Sequence, residues 1–110
     1  MFLQKIFALF FFICIGVHVY GLLIPFSSET ILSHLVHILS YGLCLWAVVG
    51  GQLTLSHPNA KVFIYGLGSI YPLFIHVPCT FSAFANGGVN WVCLLVIIFI
   101  PAGFLAVRRL

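Results

Sequence analysis

The chain has 110 residues, of which 64% are hydrophobic and only 5% are charged, and its mean hydropathy is +1.29. A soluble domain of this length leaves much of its surface in water, so it cannot hide this much apolar surface. The composition therefore excludes a soluble globular domain and predicts a single domain whose main solvent is lipid.

The net charge of +3 comes from four basic residues and one acid. The basic residues are scattered between apolar stretches, and they form no basic patch of the kind that binds nucleic acid. We therefore expect no nucleic-acid partner, and we interpret the basic residues as signals of membrane topology.

Four apolar stretches predict an all-α membrane protein, in which four transmembrane helices form an antiparallel up-down bundle. The spans are expected at about residues 6–24, 31–51, 62–81 and 90–107, within one domain that covers residues 1–110. At ~1.5 Å rise per residue, each is long enough for a hydrocarbon core of ~30 Å. The first stretch also resembles a secretory signal, but it lacks a small-x-small cleavage site, and we interpret it as a span.

Proline and capping residues predict where these spans begin, end or bend. Pro25 is expected to end the first helix, and the Ser and Thr residues that follow it are expected to cap the second. The third span contains Pro72 and Pro78, each of which removes a backbone hydrogen bond. We therefore expect this helix to be kinked.

The basic residues predict the orientation of the chain. With four spans, one side of the membrane receives Lys5, Lys61, Arg108 and Arg109. The only acid, Glu29, lies in a loop on the other side. The positive-inside rule then places both termini in the cytoplasm, as expected for a multi-pass protein of an inner or equivalent membrane.

Under this topology, four of the five histidines reach a common depth, roughly 6 to 10 Å below the outer boundary. Three different spans supply them, and the polar faces of those spans carry His18, His34, His37 and His76. Polar faces of membrane helices turn towards protein rather than lipid. The sequence therefore predicts a polar pocket near the non-cytoplasmic face, with Glu29 able to reach its mouth.

Imidazoles in such a pocket support several kinds of chemistry. All four are candidate cofactor ligands, and the candidate ligands for a transition metal are His34, His37 and His76. A haem b would need His18 or His76 to face His34 or His37 across a porphyrin-sized gap. The same side chains can instead relay protons, hydrogen-bond a quinone or a lipid headgroup, or only pack the helices together.

The four cysteines include no CxxC pair, and buried cysteine usually behaves as a small apolar residue. Only Cys79 and Cys93 are expected to meet, because they lie at the facing ends of consecutive spans. A disulfide between them would require an oxidising environment at that surface.

The sequence contains no Asp, no paired carboxylates and no glycine-rich phosphate loop, and we expect no enzymatic activity from this chain alone. The predicted function is that of a non-enzymatic accessory or binding subunit. The alternatives are a haem- or metal-binding redox protein and a small solute or proton transporter. The expected partners are the lipid bilayer and either further copies of the chain or a larger membrane complex.

Overall fold

The computed structural model describes residues 2–24, 29–50 and 57–109. Within them, four helices follow one another: α1 (Phe2–Leu23), α2 (Ile31–Leu45, continued by a π-helical turn, Trp46–Gly50), α3 (Pro58–Ala85) and α4 (Trp91–Arg109). All four are long and apolar enough to cross a membrane. These helices confirm the predicted all-α fold with four candidate membrane spans.

The beginnings of α2 and α3 are set by capping residues. Thr30 precedes α2, and its side chain accepts a hydrogen bond from the backbone N–H of Ser33 at 3.1 Å. α3 begins at Pro58, four residues before the expected start of the third span, and His57 caps it. Proline is favourable there because the first turn of a helix has no partner for its N–H. The expected helix end at Pro25 lies outside the described residues.

α3 is longer than the sequence pattern indicates at both ends, since it also continues beyond residue 81 to Ala85. Pro72 and Pro78 both lie inside this single helix. The kink expected at these two prolines stays a prediction.

Hydrogen bonds at both ends of α1 tie it to α2. Near the start of α1, the Gln4 side chain donates to the backbone carbonyl of Val48 at 2.9 Å. Near its end, the Nδ1 atoms of His18 and His34 lie 2.9 Å apart. Val48 lies at the end of α2 and His34 near its beginning. The histidines of both helices therefore lie at the same end of the bundle.

An aromatic core fills the other half of the bundle. Phe11 and Tyr65 are fully buried and meet edge to face, with ring centroids 5.7 Å apart. The Tyr65 hydroxyl donates to the backbone carbonyl of Ile100 at 2.7 Å, which joins α3 to α4. Phe10 stacks on Phe99 at 4.6 Å and joins α1 to α4. This aromatic packing fills the half of the bundle opposite to the buried histidines.

α2 and α3 approach closely at Gly68. A Cβ atom built on this residue would lie 2.6 Å from the Ser40 carbonyl oxygen and 2.8 Å from Cys44 Sγ. Small residues at such positions allow membrane helices to pack backbone to backbone. This contact sets the distance between the helices that carry His37 and His76.

We expect Gly68→Ala to lower the free energy of unfolding by about 1–3 kcal/mol, because the added methyl group overpacks the α2–α3 contact. The measurement is denaturant unfolding of the purified protein in detergent. Gly66→Ala is the matched control, since a Cβ there meets nothing within 4 Å. Equal stability of the two variants would contradict this account of the contact.

Candidate functional site

Three histidines converge on a single carboxylate oxygen of Glu29. The distances from this Oε2 atom to Nδ1 are 2.7 Å for His37, 3.4 Å for His18 and 3.5 Å for His34. All three histidines are buried, whereas the Glu29 side chain is 24% exposed. We call these four residues the histidine–glutamate cluster.

The first turn of α2 holds Glu29 in place. Ser33 Oγ donates to Glu29 Oε2 at 2.9 Å, and it accepts a hydrogen bond from the Tyr71 hydroxyl of α3 at 2.9 Å. Ser33 and His37 lie four and eight residues after Glu29, and this spacing brings all three side chains to one face of the chain. The carboxylate is therefore oriented by two helices before any ligand binds.

His37 is the most enclosed member of the cluster. Its ring stacks on His18 at a centroid distance of 4.2 Å and an interplanar angle of 10°. Its Nδ1 contacts Glu29 and, at 3.0 Å, the backbone carbonyl of Ser33. Its Nε2 is buried and makes no hydrogen bond with the residues that the structure describes. Both polar contacts of the His37 ring are therefore made by Nδ1, the atom that it presents to Glu29.

The ring of His34 lies directly against the backbone of α1. A Cβ atom on Gly21 would lie 2.5 Å from His34 Cε1 and 2.8 Å from its Nε2. Any larger residue would therefore push the His34 ring away from His18 and Glu29. The glycine allows the two helices to bring their histidines into contact.

Glu29 remains ionised because its neighbours outweigh its partial burial. Burial by itself would raise the pKa of this carboxyl group. The hydrogen bond from Ser33 and the interactions with His18 and His37 act in the opposite direction, and together they hold the pKa below its ordinary value. The cluster therefore keeps a carboxylate among imidazoles across the physiological pH range.

His76 lies beside the cluster and has other partners. Its Nε2 is 3.4 Å from the Tyr41 hydroxyl, and its Nδ1 is 3.2 Å from Cys93 Sγ. The rings of His76 and His37 have their centroids 5.4 Å apart. All four histidines of the predicted pocket are thus brought together, but Glu29 rather than His76 is the group on which the others converge.

The sequence pattern predicts Glu29 only at the mouth of the pocket. The signal that could have identified its central role is the spacing Glu29, Ser33, His37, in steps of four residues. The carboxylate lies two residues before the first residue of α2. For that reason, a pattern limited to the apolar spans does not include it.

A groove of about 430 Å³ runs between α1 and α4 and reaches the pocket from the side. His18, Tyr41 and His76 lie along it, and its other lining residues include Val92, Leu95 and Phe99. The groove therefore offers an apolar path that meets three polar rings.

The arrangement suits a metal ion better than a haem. The ring centroids of His18 lie 4.2 Å from His37 and 5.2 Å from His34, so these imidazoles touch and leave no porphyrin-sized gap. By contrast, ligand atoms of His18, Glu29 and His37 all lie within 4.8 Å of one another. Two imidazoles and one carboxylate form a ligand set that transition metals such as zinc use in proteins.

Comparisons with known proteins add no family to this description. No protein-family model matches the chain, and no curated protein or solved structure is significantly similar to it.

We expect the stabilisation that Glu29 provides to depend on pH. Because the pKa of the folded-state carboxyl group is lowered, its contribution is fully present above the ordinary value of 4.5 and is lost as the pH falls through the folded-state value. The difference in free energy of unfolding between the native chain and Glu29→Gln should be constant near neutral pH and shrink in acid. Denaturant unfolding in detergent at a series of pH values measures it.

Lys5→Gln is the control for this experiment, because Lys5 is exposed near the start of α1, at the opposite end of that helix from His18. This variant should keep the pH dependence of the native chain. A Glu29→Gln variant that follows the native curve into acid would show that the carboxylate does not stabilise the fold.

Proposed function

We propose that this chain is a multi-pass membrane protein that binds one divalent transition-metal ion, with Zn²⁺ the best fit, through His18, Glu29 and His37. The observation that carries the proposal is the convergence of imidazole Nδ1 atoms on Glu29 Oε2, at 2.7 Å for His37 and 3.4 Å for His18. In this role the protein is a non-enzymatic binding or accessory subunit of its membrane.

Hydrogen bonds alone do not account well for so many polar groups around one oxygen of Glu29. The two oxygens of a carboxylate together offer about four lone-pair sites. Here a single oxygen meets the Ser33 hydroxyl and three imidazole Nδ1 atoms. A cation between the nitrogens and the oxygen would satisfy their lone pairs at once, which favours a ligand site over a packing contact.

The mixture of donors selects the class of metal. Mg²⁺ and Ca²⁺ prefer sites made of oxygen ligands, whereas imidazole suits Zn, Cu, Fe and Ni. Zinc commonly takes two histidines and one glutamate with a fourth position left for another donor. His34 Nδ1, which lies 2.9 Å from His18 Nδ1, is placed to supply that donor or to hold its ligand.

Glu29 is placed to ligate the ion directly. A carboxylate can instead stand behind a histidine and orient the imidazole while the other ring nitrogen binds the metal. The direct mode is favoured because both His18 and His37 present the same nitrogen to the same oxygen. The partly exposed side chain of Glu29 also gives an ion a route from the surface to the buried imidazoles.

The remaining features of the proposal concern topology and partners. Lys5, Lys61, Arg108 and Arg109 favour both termini in the cytoplasm of an inner or equivalent membrane, with the cluster towards the opposite side. Large apolar side chains are exposed on every helix, and they support contact with lipid and with a second copy or a larger complex. The lack of a second carboxylate in the sequence supports a non-enzymatic role.

We expect the purified protein, freed of metal and then titrated, to bind about one equivalent of Zn²⁺ or Co²⁺. His18→Ala, Glu29→Gln and His37→Ala should each weaken binding at least about tenfold, because each removes a ligand. Calorimetry measures the affinity, and the visible absorption of bound Co²⁺ reports nitrogen and oxygen ligands in a closed site.

Two further variants make this test specific. His57→Ala should bind as the native chain does, because His57 is exposed at the start of α3. His76→Gln should retain most of the metal affinity, because His76 is not a ligand in the proposed site. If the metal were instead bound by the set expected from the sequence, His34, His37 and His76, the same variant would lose binding. The proposed site would be wrong if Glu29→Gln kept its metal affinity and His76→Gln lost it. That result would favour His34, His37 and His76 as the ligands.

The groove between α1 and α4 favours a second candidate function, the binding of a quinone or another small amphipathic molecule. Its apolar walls would hold the tail, and Tyr41 and His76 would hydrogen-bond the head. We expect a fluorescent short-chain quinone analogue to bind the detergent-solubilised protein and to bind several-fold more weakly to Tyr41→Phe and His76→Gln. Tyr20→Phe, which alters an exposed tyrosine of α1, is the control. Equal binding to all variants would remove this candidate.

A further inference from the structure

Two cysteines meet where α3 and α4 approach each other. Cys79 Sγ and Cys93 Sγ lie 2.6 Å apart, which confirms the expectation that these two residues are close. Asn90 connects them, since its side-chain N–H donates to Cys79 Sγ at 3.3 Å and its side-chain oxygen accepts from the Cys93 backbone N–H at 3.1 Å. His76 Nδ1 is 3.2 Å from Cys93 Sγ.

We propose that Cys79 and Cys93 are a redox-active dithiol that forms a reversible disulfide by exchange with a disulfide compound of the glutathione class. A disulfide holds its sulfurs ~2.0 Å apart, so the bond requires only a small movement of either side chain. This function is independent of the metal site, because neither cysteine belongs to the histidine–glutamate cluster.

The surroundings of the two sulfurs assign them different roles. Cys79 is partly exposed, whereas Cys93 is only 5% exposed. Exchange begins with the sulfur that an incoming disulfide can reach, so Cys79 attacks first and Cys93 resolves the product. The Asn90 amide, which donates to Cys79 Sγ, stabilises the thiolate form that attacks.

The exchange balances in two steps. Cys79 Sγ attacks one sulfur of the incoming disulfide, and the other sulfur leaves as a thiolate that takes up the proton lost by Cys79. Cys93 Sγ then attacks Cys79 Sγ, and the second thiolate leaves. His76 Nδ1 is placed to receive the Cys93 proton and pass it to that thiolate. The chain loses two electrons and two protons, and one disulfide becomes two thiols.

The other two cysteines are built for packing rather than exchange. Cys44 is fully buried between α2 and α3, with its Sγ 3.7 Å from the Tyr65 carbonyl and 3.9 Å from Ser69 Oγ. Cys14 lines the apolar groove between α1 and α4. These two residues are matched internal controls, because the same oxidant treatment applies to all four thiols.

The position of Cys79 along α3 brings it towards the membrane surface. α3 has 28 residues, which span roughly 42 Å at ~1.5 Å per residue, against a hydrocarbon core of ~30 Å. A helix of this length spans the core even when it is tilted, so residues near its ends lie near the boundaries of the core. Cys79 lies six residues before its last residue, Ala85, and Cys93 is the third residue of α4.

The test uses the whole protein in detergent with a chelator present, so that metal binding has no part in the result. The protein is equilibrated with mixtures of reduced and oxidised glutathione, and free thiols are then alkylated and located by mass spectrometry. We expect Cys79 and Cys93 to be lost together as an intramolecular disulfide, while Cys14 and Cys44 remain alkylated. Cys14→Ser and Cys44→Ser should behave as the native chain does.

Two single variants test the order of the steps. Cys93→Ser should accumulate a stable glutathione adduct on Cys79, because no second thiol can displace it. Cys79→Ser should form an adduct at least about tenfold more slowly, because Cys93 is buried. The proposal is overturned if all four thiols of the native chain stay free at every glutathione ratio, or if the two variants react at equal rates. The native-chain measurement decides the first point even if a variant fails to fold.

Discussion

The contact between the Glu29 carboxylate and the imidazoles around it is the interaction on which the polar half of this protein depends. An ionised carboxylate in a membrane protein is costly unless it is paired and hydrogen-bonded. Ser33 and His37 of α2, together with His18 of α1, provide those partners. The same contact joins α1 to α2 and orients the imidazole rings. It also creates the set of nitrogen and oxygen donors on which the proposed metal site depends.

The rest of the fold allows this contact to form. Aromatic packing around Phe11 and Tyr65 fills the opposite half of the bundle, and the absence of a side chain at Gly68 permits α3 to lie against α2. In a membrane the hydrophobic effect does little to hold helices together, because lipid is as apolar as their side chains. Close van der Waals contact between the helices takes its place. The histidine–glutamate cluster and the Cys79–Cys93 pair lie outside this aromatic core.

Some local features could not be predicted from residue patterns. Pro58 is equally typical of a turn and of the first residue of a helix, and the structure uses it for the helix because His57 caps that end. The π-helical turn at Trp46–Gly50 interrupts no apolar pattern, so nothing in the periodicity indicates it. It lies where Gln4 of α1 donates to the carbonyl of Val48, a contact between residues 44 positions apart.

The sequence by itself determined that the chain forms four membrane-length helices, because apolar runs of that length have few other stable solutions in lipid. It also determined that His18, His34, His37 and His76 share one region, since span lengths and turns set their depths. Only the tertiary structure decided that Glu29 is the centre of the cluster and that His76 turns towards Tyr41 and Cys93. The reason is that depth follows from position along a helix, whereas the direction of each ring depends on how neighbouring helices are rotated and packed.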